Sequence, residues 1–494
     1  MNALYSFLLC FLVFFIGSFP SLAETPLPIK RFLSMPEMRG ASFSIMAKDV
    51  DNGEVLYSYD EDRSLTPASV LKLVTTATAL EILGPEYQFK TTIEYDGTIT
   101  DGVLDGNLYI HGGGDPTLGS EYLLKDRSSF DPDNNTFIPE WINAVKRAGI
   151  RSIKGRVISD ESIYDSEGVS RKWLYEDMGS YYAPGCYGLS VFDNKYKLHL
   201  RSGSVGSTPS IIRTSPRMTG LYFINYITSA NVNTDSSFIM GAPFYDERRL
   251  YGVIPANRNE YILRGDIPDP ALFLADYFTS QLRNAGVEVK GEPSCYRLLK
   301  EYNEWNPKER ISITTTLSPT LEEIAKITNE VSHNLYADAL LKAIGLQYKP
   351  EPREVISSTG RGIKVMKSHW EAIGLDTSSL FFFDGSGLAV TDKLTMSFVC
   401  DMLVYMANYS DVGEAFIAGI PYAGRDGSVR NFLRGTSLEG RARLKSGSMS
   451  AVRGYAGYIR KGNKTYSVAI IVNTYTGAGR PMVNAIERLL VDLF

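Results

Sequence analysis

Pro67-Ala68-Ser69-Val70-Leu71-Lys72-Leu73 carries an S-x-x-K pattern, Ser69 to Lys72, at the opening of a strongly helical run. Residues three apart share one face of a helix, which brings the Lys72 amine within reach of the Ser69 hydroxyl. In the first turn the helix dipole also favours a developing negative charge. A serine is a poor nucleophile at neutral pH until a neighbouring base activates it; this spacing supplies one. Val70, Leu71, Val74, Ala77, Leu80 and Leu83 then fall on overlapping faces until Gly84-Pro85 stops the helix. A helix that is apolar nearly all round is buried, so the pattern predicts a nucleophile projecting from a rigid core element. Alone, S-x-x-K also arises by chance, as a surface serine beside a solvated lysine.

Two further motifs change the weight of the first. Ser332-His333-Asn334 follows one helix-like stretch and opens another, Leu335-Tyr-Ala-Asp-Ala-Leu-Leu-Lys342. Lys445-Ser446-Gly447 follows Arg441-Ala-Arg-Leu444 and precedes Tyr455-Ala-Gly-Tyr-Ile459, the order of a strand with a small-residue edge. A second S-x-N at Ser229-Ala230-Asn231 lacks the following helix and lies far from Lys445. S-x-x-K, S-D-N and K-T-G in this order form a signature of serine acyl-transfer enzymes.

The chain resembles the class C, low-molecular-mass penicillin-binding proteins, the D-Ala-D-Ala carboxypeptidase/endopeptidases of the penicillin-binding protein 4 type. Beyond the three motifs, the likeness rests on Gly112-Gly-Gly-Asp-Pro-Thr-Leu118, Trp173 with Glu176-Asp177-Met178, Tyr182-Ala-Pro184 and Asp384-Gly-Ser-Gly-Leu388. The long segment between Lys72 and Ser332 also fits this family and exceeds what a β-lactamase helical subdomain needs.

What the resemblance implies is an acyl-enzyme on Ser69 and cleavage between two D-alanines. Lys72 would be the base, kept neutral by the Lys445 cation. Ser332 would relay a proton to the leaving amine, and Asn334 would hold both Lys72 and the substrate amide. Backbone N–H groups of Ser69 and Ser448 would form the oxyanion hole. Lys445 with Ser446 and Ser448 would receive the terminal carboxylate, with Gly447 and Met449 on the same binding edge. Trp173, Asp177 and Tyr182 would form one wall, Asp177 meeting the side-chain amine of the peptide's diamino acid. Peptidoglycan stem peptides are then the substrates and β-lactams the inhibitors. Three departures stand out. Ser446 replaces the commoner Thr, and Val390 stands where relatives carry a carboxylate-clamping arginine. His333 occupies the middle of the second motif, where it either tunes Ser332 or, as favoured here, faces solvent. No Leu-Asn dipeptide occurs, so the E-x-x-L-N loop of class A β-lactamases is missing; β-lactamase-like hydrolysis is the weaker alternative. A catalytically idle peptidoglycan-binding scaffold is the other, against which the intact five (Ser69, Lys72, Ser332, Asn334, Lys445) weigh.

Residues 1–23 contain no Lys, Arg, Asp or Glu, carry an apolar run from Phe7 to Ile16, and end in Ser21-Leu22-Ala23. This reads as a signal peptide and predicts export to the periplasm or cell envelope. A net charge of −5, with no basic block, argues against nucleic acid. Cys186, Cys295 and Cys400 form no metal pattern, and one disulfide among them stays open. The four histidines show no H-E-x-x-H arrangement; neither metal nor cofactor is expected. Oligomeric state is not legible.

Asp51-Asn-Gly53 between two β-like runs is a hairpin signal. From Tyr87 to Lys300 short β-like runs dominate, helices return at Leu321, and strands over 455–460 and 466–473 precede a closing amphipathic helix. That helix reads as packing on the sheet, with peripheral membrane association as the other use of its apolar stripe. The predicted fold is α/β (α+β): a discontinuous, β-lactamase/transpeptidase-like domain, an antiparallel sheet flanked by helices, with β-rich inserts between S-x-x-K and S-x-N. Residues 24–90, 115–190 and 301–494 are assigned to the catalytic domain, and 91–114 and 191–300 to the inserts.

Overall fold

The structure, a computed structural model, describes residues 25–127 and 130–494; the expected signal peptide lies outside them. Its central sheet is built from both ends of the chain. The order is Val55–Tyr59, Ser42–Asp49, Lys464–Asn473, Val452–Lys461, Ala442–Met449, antiparallel throughout. The Asp51-Asn-Gly53 hairpin joins the first two strands, with Gly53 at φ +73° donating its N–H to the Asp49 carbonyl. A left-handed φ of this kind costs glycine least.

Each face of the sheet is covered. On one side the helix Leu71–Leu83, which follows Ser69, lies in a core with Leu321–Val331, Asn334–Gly345, Ser358–Ile373 and Met396–Asn408. Every residue from Leu71 to Leu80 is buried, as its all-round apolar pattern requires. On the other side the closing helix Gly479–Leu493 buries Met482, Ile486, Leu489, Leu490 and Leu493 against the N-terminal helix Leu27–Leu33 and the sheet. Its apolar stripe is used in the core. Among the described residues no helix is long and apolar enough to cross a membrane.

A separate core organises the region between the first two motifs. A five-stranded sheet runs Ser294–Cys295, Val157–Asp160, Leu108–Gly112, Lys90–Tyr95, Ile311–Leu317. Smaller sheets, including Lys195–Arg201 between Ser210–Ser215 and Tyr261–Asp266, join it around helices Phe137–Arg147 and Pro270–Asn284. This packing divides the chain differently from the expected boundaries. Within 115–190, Phe137, Trp141 and Val145 sit in the inserted core, and Val157–Asp160 shares a sheet with Lys90–Tyr95. Ile311–Leu317 also belongs to that sheet, although it was assigned to the catalytic domain. The cause is pairing between strands far apart in sequence, which no local pattern reports. Cys186, Cys295 and Cys400 are free and buried.

Candidate active site

Ser69 occupies a 3-10 turn, Ala68–Val70, that leads into Leu71–Leu83. Ala68 is held at φ +47°, a left-handed conformation costly for an L-residue and typical of functional turns. Two glycines let other elements close on this turn. A Cβ on Gly387 would lie 2.0 Å from the Ala68 carbonyl oxygen, and one on Gly447 would lie 2.5 Å from that of Pro67.

The five expected catalytic residues fall into two hydrogen-bonded groups. The Lys72 amine donates to Ser69 Oγ (2.9 Å), Asn334 Oδ1 (2.6 Å) and the Ser386 carbonyl (2.6 Å). The Lys445 amine donates to Ser332 Oγ (3.0 Å) and the Ser446 carbonyl (2.7 Å). Ser332 is the left-handed cap (φ +61°) that ends Leu321–Val331, so its hydroxyl projects from the break between two helices. Asn334 completes its role as a two-sided clamp by donating Nδ2–H to the Tyr182 carbonyl (2.7 Å).

His333 does not face solvent. It is buried, its Nδ1 accepts the Tyr336 N–H as the cap of Asn334–Gly345, and its ring stacks on Tyr336 at 4.0 Å. Its Nε2 lies 3.2 Å from Asp193 Oδ1. Burial lowers its pKa, against the pull of Asp193, and the ring, with Nδ1 as acceptor, serves as a cap that fixes the turn carrying Ser332.

Both site lysines are fully buried, among different partners. Burial pushes Lys72 down to about 8, while the carboxylates Asp338, Asp384 and Asp392 pull the other way. Lys445 is held well below the usual lysine range, first by burial and then by the Lys72 charge, with no carboxylate to offset either. The Lys72 charge disfavours that of Lys445, and the acids lie on the Lys72 side.

The loop 384–390 supplies what the motifs did not show. Asp384 accepts N–H bonds from Ser386, Gly387 and Ala389, and from Trp173 Nε1 at 2.7 Å. It thereby curls the loop so that the Ser386 carbonyl meets Lys72. Asp338 binds Gly385 N–H, and its carboxyl is raised to about 7 by burial and by Asp384. Neither residue was assigned a role from the sequence. The D-G-S-G-L stretch was visible, but its function lies in backbone geometry.

Ser69, Ser332 and Asn334 line one cavity of ≈ 560 Å³, together with Asp177, Tyr182, Val390, Ser448 and Met449. Asp177 is buried; Oδ1 accepts the Tyr182 hydroxyl (3.0 Å) and Oδ2 the Leu174 N–H (3.1 Å). It thus both caps the turn Tyr175–Asp177 and faces the cavity. Trp173 does not line the cavity; it packs with Ala183 and Ala389 and supports Asp384 from behind. Ser446 also lies outside the cavity lining, its hydroxyl 2.8 Å from that of Ser428. Arg453, opposite Ser448 on the neighbouring strand, donates to Ser448 Oγ, the Met449 carbonyl (3.0 Å) and the Val452 carbonyl (2.8 Å). It steadies the cavity rim, and the sequence reading did not single it out. Among the described residues no group of three or more His, Cys, Asp or Glu could hold a metal ion. Chemically, the arrangement can activate a serine with a hydrogen-bonded amine and deliver a proton from a second hydroxyl.

A family model described as the D-Ala-D-Ala carboxypeptidase 3 (S13) family matches residues 28–492. The chain is 26% identical over 481 residues to a D-alanyl-D-alanine carboxypeptidase of Actinomadura sp., covering 94% of this chain and 85% of that protein. It is 24% identical over 488 residues to D-alanyl-D-alanine carboxypeptidase DacB of Haemophilus influenzae, covering 96% and 93%. The crystal structure of penicillin binding protein 4 (dacB) from Haemophilus influenzae shares the fold, with a TM-score of 0.78 at 21% identity over 94% of this chain and 98% of that one.

Proposed function

The chain belongs to the D-Ala-D-Ala carboxypeptidase 3 (S13) family of serine peptidases, and we propose that it cleaves D-Ala-D-Ala-type bonds in peptidoglycan peptides through an acyl-enzyme on Ser69. The observation that carries this reading is the 2.9 Å contact between Lys72 Nζ and Ser69 Oγ, fixed from behind by Asn334 and the Ser386 carbonyl. With neutral Lys72 as base, Ser69 Oγ bonds to the carbonyl carbon of the penultimate D-Ala and its proton passes to Nζ. The tetrahedral oxyanion points at the backbone N–H groups of Ser69 and Ser448. Collapse breaks the C–N bond, and the leaving amine takes a proton through Ser332. Water then hydrolyses the ester by the same route in reverse.

The Lys445 arrangement suits a substrate that bears a carboxylate. A buried amine without an acid partner is poorly charged; a docked carboxylate restores its charge. That restored cation then disfavours charge on Lys72, making the base neutral when substrate arrives. The amine expected at Asp177 is supported by a buried carboxylate on the cavity wall. Action on cross-linked peptides as an endopeptidase, inhibition by β-lactams and export to the cell envelope complete the proposal.

Mass spectrometry of products from D-Ala-D-Ala peptides with a free or an acetylated side-chain amine tests both parts. Release of D-Ala is expected, with kcat/KM more than about tenfold higher for the free amine, the worth of one charged hydrogen bond. No D-Ala release overturns the activity; release indifferent to acetylation removes only Asp177 from the site.

A further inference from the structure

A second cavity lies beside Val331, the residue before Ser332, and Ser428. It also measures ≈ 560 Å³, and its lining includes Tyr122, Arg127, Glu330, Val331, Ser428 and Arg430. It shares no lining residue with the Ser69 cavity, yet it reaches the catalytic groups twice. Val331 precedes Ser332, and the Ser428 hydroxyl is 2.8 Å from that of Ser446. Lys445 bridges these two points, donating to Ser332 Oγ and to the Ser446 carbonyl.

Direction of the substrate follows from the proposed chemistry, on which this inference rests. The acyl part lies in the cavity of Asn334, Asp177 and Tyr182. Ser332 hands its proton to the leaving amine, so the leaving residue lies across Ser332, at Lys445 and Ser446. Anything attached to that residue continues into the second cavity. The charges there have a sign. Arg127 and Arg430 are exposed and make no ion pair among the described residues; Arg127 lies over the Tyr122 ring at 4.4 Å. The one lining carboxylate, Glu330, has Lys326 at 3.9 Å. Asp426, Arg127 and Arg443 also act on Glu330; Asp426 accepts the Tyr422 N–H and Arg443 is held over Tyr422 by the Ala418 and Ile420 carbonyls, whereas Arg127 lines the same cavity as Glu330. Two exposed guanidiniums against one carboxylate leave the lining with a net positive charge to meet an anion, and guanidinium matches carboxylate geometry.

We infer that this cavity is a leaving-strand subsite that accepts a peptide attached beyond the scissile bond and selects one bearing free carboxylates. The enzyme would then favour acidic cross-linked peptides over neutral ones, with Arg127 and Arg430 as the discriminating residues.

The test compares a D-Ala-linked peptide dimer whose leaving strand carries two carboxylates with the same dimer amidated at both. Benzylpenicillin acylation is measured alongside, since it involves no leaving strand and reports on the Ser69 centre alone. The native chain is expected to cleave the acidic dimer at least about fivefold faster, the combined worth of two partly exposed ion pairs. In Arg127→Ala/Arg430→Ala that ratio should fall to about one, the loss following from removal of both charges. Equal cleavage of the two dimers by a native chain that is acylated by penicillin, or an unchanged ratio in the double variant, would overturn the subsite. A native chain that neither acylates nor releases D-Ala would instead overturn the proposed function.

Discussion

Lys72 and Lys445 are the same residue type, both fully buried, yet they sit among different partners. On the proposed mechanism Lys72 acts as a base only when neutral, so kcat/KM for acylation, which reports the free enzyme, should rise with pH and level off above about 8. Below that value the protonated fraction grows and the rate falls by up to about tenfold per pH unit. Lys72→Arg should abolish acylation, because guanidinium keeps its proton. Lys445→Arg keeps a cation and should mainly raise KM for a substrate with a carboxylate. A pH–rate profile of acylation for the native chain and the two variants checks this; equal collapse in both would refute the division of labour. The five side chains that meet around Ser69 and Ser332 were legible because S-x-x-K, S-x-N and K-S-G fix residue type and spacing. The Ser386 carbonyl was not, since any residue offers one. The charge balance of the lysines was hidden as well, because it depends on Asp338, Asp384 and Asp392, which only the fold brings near.

At the scale of elements, the nucleophile turn is wedged between the 384–390 loop and the strand Ala442–Met449. Gly387 stands at φ +75° with its missing Cβ 2.0 Å from the Ala68 carbonyl. Gly387→Ala should therefore displace the turn, lower stability by about 1–3 kcal/mol and slow acylation by a larger factor than the stability loss explains. Thermal melting together with the rate of penicillin acylation measures both; a variant with native values would show that the contact is not needed. The hairpin at Asp51-Asn-Gly53, the all-round apolar nucleophile helix and the closing strands and helix could be read locally because each has a periodic or turn signature. Trp173 shows where such reading stops. The family resemblance implied a wall of the substrate site, whereas the Trp173 indole N–H binds Asp384 and its ring is buried.

Across the whole molecule, the region between the first two motifs is joined to the catalytic domain through buried polar contacts. Asp193 accepts the Ser120 hydroxyl (2.6 Å), lies 3.5 Å from Lys195 and faces His333 beside Ser332. Burial alone would raise its pKa, but Lys195 and His333 outweigh this and hold the carboxyl well below its usual range. A carboxyl with a depressed folded pKa stabilises above its unfolded value, near 4, and that contribution is lost as pH falls further. Melting temperature should thus drop steeply below about pH 4. In Asp193→Asn the melting temperature should start lower, by about 3–5 kcal/mol of stability, and fall less over the same range. A parallel pH dependence in the two proteins would refute the role of Asp193. The existence of a β-rich insertion was legible from composition and from the distance between motifs. Its division was not, because Lys90–Tyr95, Val157–Asp160, Ser294–Cys295 and Ile311–Leu317 meet in one sheet only after folding. The identity of the acylated atom underlies every claim made at this and the smaller scales. Incubation with benzylpenicillin followed by peptide mass mapping tests it most directly. One adduct on the peptide containing Ser69, absent from Ser69→Ala, is the expected result; an adduct that persists in Ser69→Ala, or one mapped elsewhere, would contradict the account.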